Sequence, residues 1–339
     1  MKDHQRRRFR IPKSVRRIVA WLVFLLVVEY LVLPQIAGTR KAIHTLGRVD
    51  PVYLLGGAGL EAASILAYAF LTRSILPPSD PPSVWTLLRI QLATLSLSHC
   101  VPGGTAAGSS LGYRLMTAAG VDGTDAGFAL ATQGLGSALV LNVILWVALV
   151  ISIPFEGFNP LYLAVAVIGA LLLGGFALLV LLLTRGEQRA ARFLGRVAEA
   201  TPFVDGATVT RVVHGLAARL RELGRDRSML GQAVGWAAAN WLLDAASLWV
   251  FVAAFGYRVG PDGLLVAYGL ANVLGALPIT PGGIGIVEAV LPATLVGFGA
   301  PSAIAILGVV SWRLVNFWLP IPVGGLSYLT LRVGRRESG

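Results

Sequence analysis

The chain has 339 residues, 55% of them hydrophobic and only 13% charged, with a mean hydropathy of +0.73 and a formal net charge of +11. Soluble domains carry roughly 25% charged residues, so a soluble enzyme and a disordered scaffold are excluded, and the single cysteine, Cys100, excludes a secreted disulfide module. What remains is an all-α, polytopic integral membrane helical bundle.

Eight Lys and Arg precede the first apolar run (Lys2, Arg6, Arg7, Arg8, Arg10, Lys13, Arg16 and Arg17), nine lie in the polar stretch 185–228, and Arg332, Arg335 and Arg336 close the chain. Three segments thus hold most of the basic residues, as cytoplasmic segments of a membrane protein do, so no nucleic acid is expected as partner. The apolar run 18–33 has no small-x-small cleavage site after it and reads as an uncleaved first helix. With the N-terminus in the cytoplasm of a multi-pass cell (inner or plasma) membrane protein, 185–228 and the basic tail both fall inside. The loop 38–49, with Arg40, Lys41 and Arg48, falls outside against the trend.

Full-length spans are predicted over 18–36, 50–72, 124–152, 159–184, 229–255 and 301–331, because each holds about 20 apolar residues. Two further apolar stretches, 84–119 and 263–298, are interrupted near their middles by Pro102-Gly103-Gly104 and Pro281-Gly282-Gly283. Proline cannot continue the i→i−4 ladder and paired glycines let the backbone turn. Each stretch reads as a broken helical hairpin, either re-entrant or a pair of short tilted spans. Segment 185–228 is too polar to span. Its Val209, Val212, Val213, Leu216, Leu220 and Leu223 share one face, as in a cytoplasmic amphipathic helix.

The order of these parts suggests one transmembrane domain, 1–339, built as an inverted repeat with halves near 18–152 and 159–331. Each break follows an acid in the middle of an earlier helix. Glu61 lies 41 residues before Pro102, and Asp244 lies 37 before Pro281. Gly/Pro-interrupted segments in corresponding positions of two halves point to a transporter's binding site.

No nucleotide-binding loop, His-Glu-x-x-His or Cys-x-x-Cys motif is present, so no enzyme activity, metal or cofactor is expected. His99, beside Cys100, reads as core packing near the first bend. Ionisable groups at membrane depth are expensive and should face the interior or a water-filled cavity; these are Glu61, Arg89, Arg114, Asp244, Glu288 and Arg313. Arg313 can grip a phosphate bidentately or form a structural ion pair with Glu288 or Asp244. Glu288, five residues after the second break, is either a partner for the helix dipole or a site acid for a cation or a proton. Asn316, one turn beyond Arg313, adds a neutral hydrogen-bonding group. Gly103, Gly104, Gly282, Gly283 and Gly285 would offer backbone N–H groups to an anion or merely permit tight turning. Trp241, Trp249, Trp312 and Trp318 read as core or interfacial anchors.

The run Leu277-Pro278-Ile279-Thr280-Pro281-Gly282-Gly283-Ile284-Gly285-Ile286-Val287-Glu288-Ala289 resembles the signature of the lysylphosphatidylglycerol synthase transmembrane (flippase-like) family. Arg313 to Pro320 resembles its next motif, and Pro102 to Gly108 with Tyr113, Arg114 and Leu115 resembles its first-half motif. The resemblance implies an integral inner-membrane protein that is a lipid flippase or transporter. It would bind or move an anionic phospholipid or lipid-linked headgroup. Arg313 and Arg114 would hold phosphate, and Glu288, Asp244 and Glu61 a cationic part or a proton. The alternative is a membrane enzyme or accessory protein acting on polyprenyl or glycolipid phosphate intermediates, with envelope-synthesis enzymes as partners. No aminoacyl-transferase domain follows within the 339 residues, so lysine transfer is not expected from this stretch.

Overall fold

The computed structural model describes residues 51–77, 81–101, 104–156, 224–276 and 280–336, with scattered positions between 167 and 221. The chain divides into two compact units, Met1–Arg48 and Val49–Gly339, and the described residues belong to the second. The predicted spans 18–36 and 159–184 and the amphipathic segment 185–228 lie wholly or largely outside them.

Every regular element among the described residues is helical: α1 Pro51–Ile75, α2 Val84–Cys100, α3 Gly104–Ala118, α4 Gly123–Ala131, α5 Ser137–Glu156, α6 Arg227–Ala253, α7 Pro261–Gly275, α8 Ile286–Gly297, α9 Ser302–Arg313 and α10 Pro320–Arg336. Wide π-turns at Thr132–Gly136 and Leu314–Trp318 join α4 to α5 and α9 to α10 into continuous rods. Among the described residues, four helices are long and apolar enough to cross a membrane: Pro51–Ile75, Gly123–Ser152, Arg227–Ala253 and Ser302–Leu331. These match four of the six predicted full spans.

The two interrupted stretches break where the sequence places the breaks. The first becomes α2 and α3, packed on each other; the second becomes α7 and α8, joined through a 3-10 turn at Pro281–Gly283. At 1.5 Å rise per residue, the 17 residues of α2 extend roughly 25 Å, short of a hydrocarbon layer of roughly 30 Å. Local chemistry starts several of these helices. Ser83 caps α2, Asp122 caps α4 and Asp226 caps α6, each side chain accepting a backbone N–H of the first turn. Pro261 opens α7 at a position where its missing N–H costs nothing.

The described element order runs twice through the same sequence of parts. A long helix with a buried acid (α1 with Glu61, α6 with Asp244) is followed by two short helices and then by a long rod containing a π-turn. The most extensive packing joins α1 to α6. Four hydrogen bonds cross that seam: Ser247 Oγ donates to the Gly57 carbonyl (2.9 Å), Ser64 Oγ to the Asn240 carbonyl (3.0 Å), and Asn240 Nδ2 to both Ser64 Oγ (2.8 Å) and the Ser64 carbonyl (3.1 Å). Because 57 pairs with 247 and 64 with 240, the two helices run antiparallel, and Glu61 and Asp244 fall opposite each other between the ties.

Small residues set the depth of approach, as they do where lipid-facing surfaces offer no hydrophobic drive for association. A Cβ at Gly57 would meet the Phe251 ring, and one at Gly324 would collide with the Leu92 carbonyl. Gly324 thereby lets α10 lie directly on α2, where Ser96 Oγ also reaches the Ile321 carbonyl at 2.8 Å. A large buried cluster between α6, α7, α8 and α9 contains Leu248, Phe251, Tyr268, Leu291, Leu295 and Trp312.

Candidate functional site

The π-turn between α9 and α10 is the hub of the site, and proline explains its form. Pro320 has no N–H to give the Asn316 carbonyl four residues back, so the regular ladder cannot run through this point. The backbone widens instead, Leu319 N–H reaching the Leu314 carbonyl at 2.9 Å. Such insertions recur at functional sites. Widening also leaves carbonyls for other partners, and His99 Nδ1 lies 3.1 Å from the Phe317 carbonyl. The His99 ring stacks on that of Phe317 with centroids 4.2 Å apart. His99 therefore packs near the bend as predicted, and its hydrogen bond ties the end of α2 to the π-turn.

The second bend sits against the same place. Gly282, Gly283 and Gly285 have φ of +53°, +72° and +84°, a region that L side chains enter only at a cost. A Cβ on Gly282 would also strike Phe317 and His99, whereas one on Gly285 would meet nothing within 4 Å. Gly285→Ala is thus expected to cost only backbone strain, about 1–2 kcal/mol. Gly282→Ala should cost measurably more, and thermal unfolding of the two purified variants side by side checks the order. Both α2 and α3 touch the Pro281–Gly283 turn, so the two interrupted hairpins meet.

Arg313, at the end of α9, is buried, with 5% of its surface exposed. Its Nε donates to Glu288 Oε1 at 2.5 Å and its Nη2 to the Gly282 carbonyl at 3.3 Å. The guanidinium carbon lies 4.6 Å from the Phe317 ring centroid, a cation–π distance. Glu288 is in the first turn of α8 and its other oxygen, Oε2, accepts the Gly285 N–H at 2.7 Å. Of the two partners that the sequence leaves open for Arg313, the structure selects Glu288. The glycine N–H groups expected to await an anion are largely taken: Gly283 N–H reaches the Thr280 carbonyl, and Gly285 N–H reaches Glu288. Glu288 itself fills the anion position at the start of α8. The bend is not sealed, for Gly282 and Gly285 are exposed and Glu288 is partly so.

One turn away lies the second group of charges. Asp244 Oδ1 accepts Trp312 Nε1 at 2.7 Å and Asn316 Nδ2 at 3.2 Å, and its Oδ2 accepts the Tyr268 hydroxyl at 2.7 Å. Asn316 Nδ2 also donates to Glu61 Oε1 at 3.1 Å, so one amide bridges the acids of α1 and α6. The two carboxyl groups lie within hydrogen-bonding reach of each other.

Five of the sequence-predicted residues (Arg313, Glu288, Asn316, Asp244 and Glu61) therefore come together with Gly282, Gly283 and Gly285. Gly103 lies outside the described residues. Gly104 is buried, its carbonyl accepts Ser98 Oγ at 3.0 Å, and it serves the close packing of α3 on α2. Arg114 does not join the site, and it corrects the expectation that all charges at depth face inward. Gly104, Gly108 and Gly112 form the face of α3 turned to its neighbours, and Arg114, two residues past Gly112, is exposed on another side. Arg89 is exposed as well.

Tyr268, Trp312, Phe317 and His99 belong to the site but carry no charge or motif that marks them as ligands of the acids. The Leu319-Pro320 pair was the available sequence signal for the widened turn. A further polar group that the sequence reading missed lies around the other π-turn. There Gln133 Nε2 donates to Thr72 Oγ1 and the Tyr68 hydroxyl to the Gln133 carbonyl.

The match to known proteins covers this whole arrangement. The chain aligns over 318 residues, at 21% identity, with a UPF0104 membrane protein from Methanothermobacter thermautotrophicus, covering 90% of this chain and 93% of the relative. A second match to a UPF0104 membrane protein of that organism is 26% identical over 176 residues, covering 49% of this chain and 52% of the relative, about half its length. Residues 12–324, which include every described residue of the site, match the family of the lysylphosphatidylglycerol synthase TM region, so this multi-pass membrane protein belongs to that family.

Proposed function

We propose that the protein binds an anionic lipid headgroup where its two bends meet and passes it between leaflets, as a lipid flippase or transporter rather than an enzyme. The observation that carries this reading is the convergence of Arg313 Nε and the Gly285 N–H on one carboxylate, that of Glu288, at a partly exposed bend. Two donors aimed at one oxyanion make a charge-assisted anion site. Glu288 occupies it in the resting state, and a phosphate from an incoming headgroup would compete for the same two donors. The acyl or prenyl chains stay in lipid, so only the headgroup has to be desolvated.

The doubled order of elements supports treating the halves as an inverted repeat, with the site at their junction as in transporters built this way. Charge placement supports a cytoplasmic N-terminus in a cell membrane. The family name supports a lipid as the ligand class.

The test is a leaflet-exchange assay with purified protein in vesicles, using probes with phosphatidylglycerol, polyprenyl phosphate and zwitterionic headgroups. Faster exchange of an anionic probe than in protein-free vesicles is expected. Equal rates for every probe would overturn the proposal. Chemical turnover of a lipid phosphate by the purified protein would replace it with the enzyme reading.

A further inference from the structure

The structure has a buried charge problem that the headgroup reading does not solve. Glu288 is paired with Arg313, but among the described residues Glu61 and Asp244 have no ion pair of their own, the charge of Arg313 being shared with Glu288. They are 3% and 6% exposed and sit midway along two of the helices long and apolar enough to span a membrane. Two adjacent carboxylates at such depth repel each other and lose their hydration, so one positive charge has to be held between them.

The hydrogen bonds show which group carries it. Asp244 accepts from Trp312, Asn316 and Tyr268 across its two oxygens, which leaves room for one further donor among the roughly four lone-pair sites of a carboxylate. Three donors aimed at one carboxyl group are the surroundings of an anion. Glu61 differs. Its Oε1 receives one bond, from Asn316, and its buried Oε2 has no donor among the described residues. An ionised oxygen would be stranded there, but a protonated one would be a donor facing an acceptor-rich neighbour. The remaining polar atoms around the pair argue against a metal cation, because they present N–H and O–H hydrogens rather than lone pairs.

We propose that Glu61 holds a proton on Oε2 and donates it to Asp244, and that this is the coupling proton of the protein. Charged and titratable groups facing the pair are Tyr268 from α7 and Arg313 from α9, with Glu288 of α8 behind the guanidinium. Asn316 connects the pair to the π-turn that also presents Arg313. Loss of the proton would set two negative charges against each other on the α1–α6 seam, and an arriving phosphate that draws Arg313 away would deepen that repulsion. The coupling role rests on the headgroup reading above; the proton site does not.

Infrared spectroscopy of the full chain in lipid nanodiscs at neutral pH tests it. The expected result is a carbonyl stretching band of a protonated carboxylic acid, absent in Glu61→Gln and present in Glu288→Gln. Should Glu61→Gln fail to fold, selective carbon-13 labelling of the wild-type carboxyl groups answers the same question. The band should shift with labelled glutamate and not with labelled aspartate. No such band, a band that survives in Glu61→Gln, one lost in Glu288→Gln, or one that shifts only with labelled aspartate would each overturn the proposal. Thermal stabilisation by sodium or potassium in place of the band would make the pair a cation site. The leaflet assay is read separately. A band without lipid movement sinks the headgroup reading and leaves the proton standing, and movement without the band does the reverse.

Discussion

Replacing Asp244 by alanine is expected to destabilise the protein by about 2–4 kcal/mol, more than any other single truncation in the site. The substitution strands three buried donors at once: Trp312 Nε1, Asn316 Nδ2 and the Tyr268 hydroxyl. An unmade buried hydrogen bond costs about 1–3 kcal/mol in proteins generally. Within membranes the average is nearer 0.6 kcal/mol, since the unfolded chain also finds partners there. Three such losses beside a new cavity in a packed cluster give the stated range. Asp244→Asn keeps one acceptor oxygen for Trp312 and Asn316 and should cost only about 1 kcal/mol. Thermal or denaturant unfolding in detergent micelles orders the two. If alanine and asparagine prove equally mild, within about 0.5 kcal/mol of wild type, then Asp244 does not organise the centre of the bundle.

Arg313→Ala should reduce movement of an anionic lipid about 10- to 100-fold, the range matching loss of one charge-assisted hydrogen bond of about 1.5–3 kcal/mol. The variant should still fold, because Glu288 is partly exposed and water can take the place of the guanidinium. Arg313→Lys keeps a point charge without the planar fork that reaches Glu288 and the Gly282 carbonyl together, so partial recovery is expected. Glu288→Gln acts in the opposite sense on binding, because it weakens the internal competitor for Arg313. Phosphate-headgroup affinity should rise while the capping bond to Gly285 persists through the amide oxygen. Leaflet exchange and lipid-binding measurements on folded, monodisperse variants check both. An unchanged exchange rate in Arg313→Ala would remove Arg313 from the binding machinery.

The contrast between Arg313 and Arg114 shows where reading the chain succeeds and where it stops. Both are arginines in apolar stretches, and depth alone predicts an inward role for each. Helical phase separates them. On α3 the small face of Gly104, Gly108 and Gly112 is the packed one, which turns Arg114 to the surface. On α9 the packed face includes Gly308, Trp312 and Arg313, so the guanidinium enters the bundle. On α3 the Gly104, Gly108, Gly112 spacing was a signal for the covered face, whereas α9 carries no comparable run of small residues to mark the face that Arg313 shares. The same holds for Trp312 and Tyr268. Their aromatic bulk reads as core, which they are, while their roles as donors to Asp244 depend on helices distant in sequence. Glu61 and Asp244 were legible as unusual by depth, and their direct opposition was not.

Where the two hairpins break was determined by the sequence alone. In hydrocarbon every backbone group must find a partner, so a Pro-Gly-Gly run, which removes one N–H and frees two residues to turn, marks a break, whereas a lone proline such as Pro292 stays inside α8. Pro102-Gly103-Gly104 and Pro281-Gly282-Gly283 therefore announce their own breaks, but the widened turn before Pro320 lies inside a span predicted as unbroken over 301–331. Only the tertiary structure decided which charge meets which. In a bundle without a strong hydrophobic drive between helices, those pairings follow from close approach at small residues such as Gly57 and Gly324, and from the few polar groups that align once the helices touch.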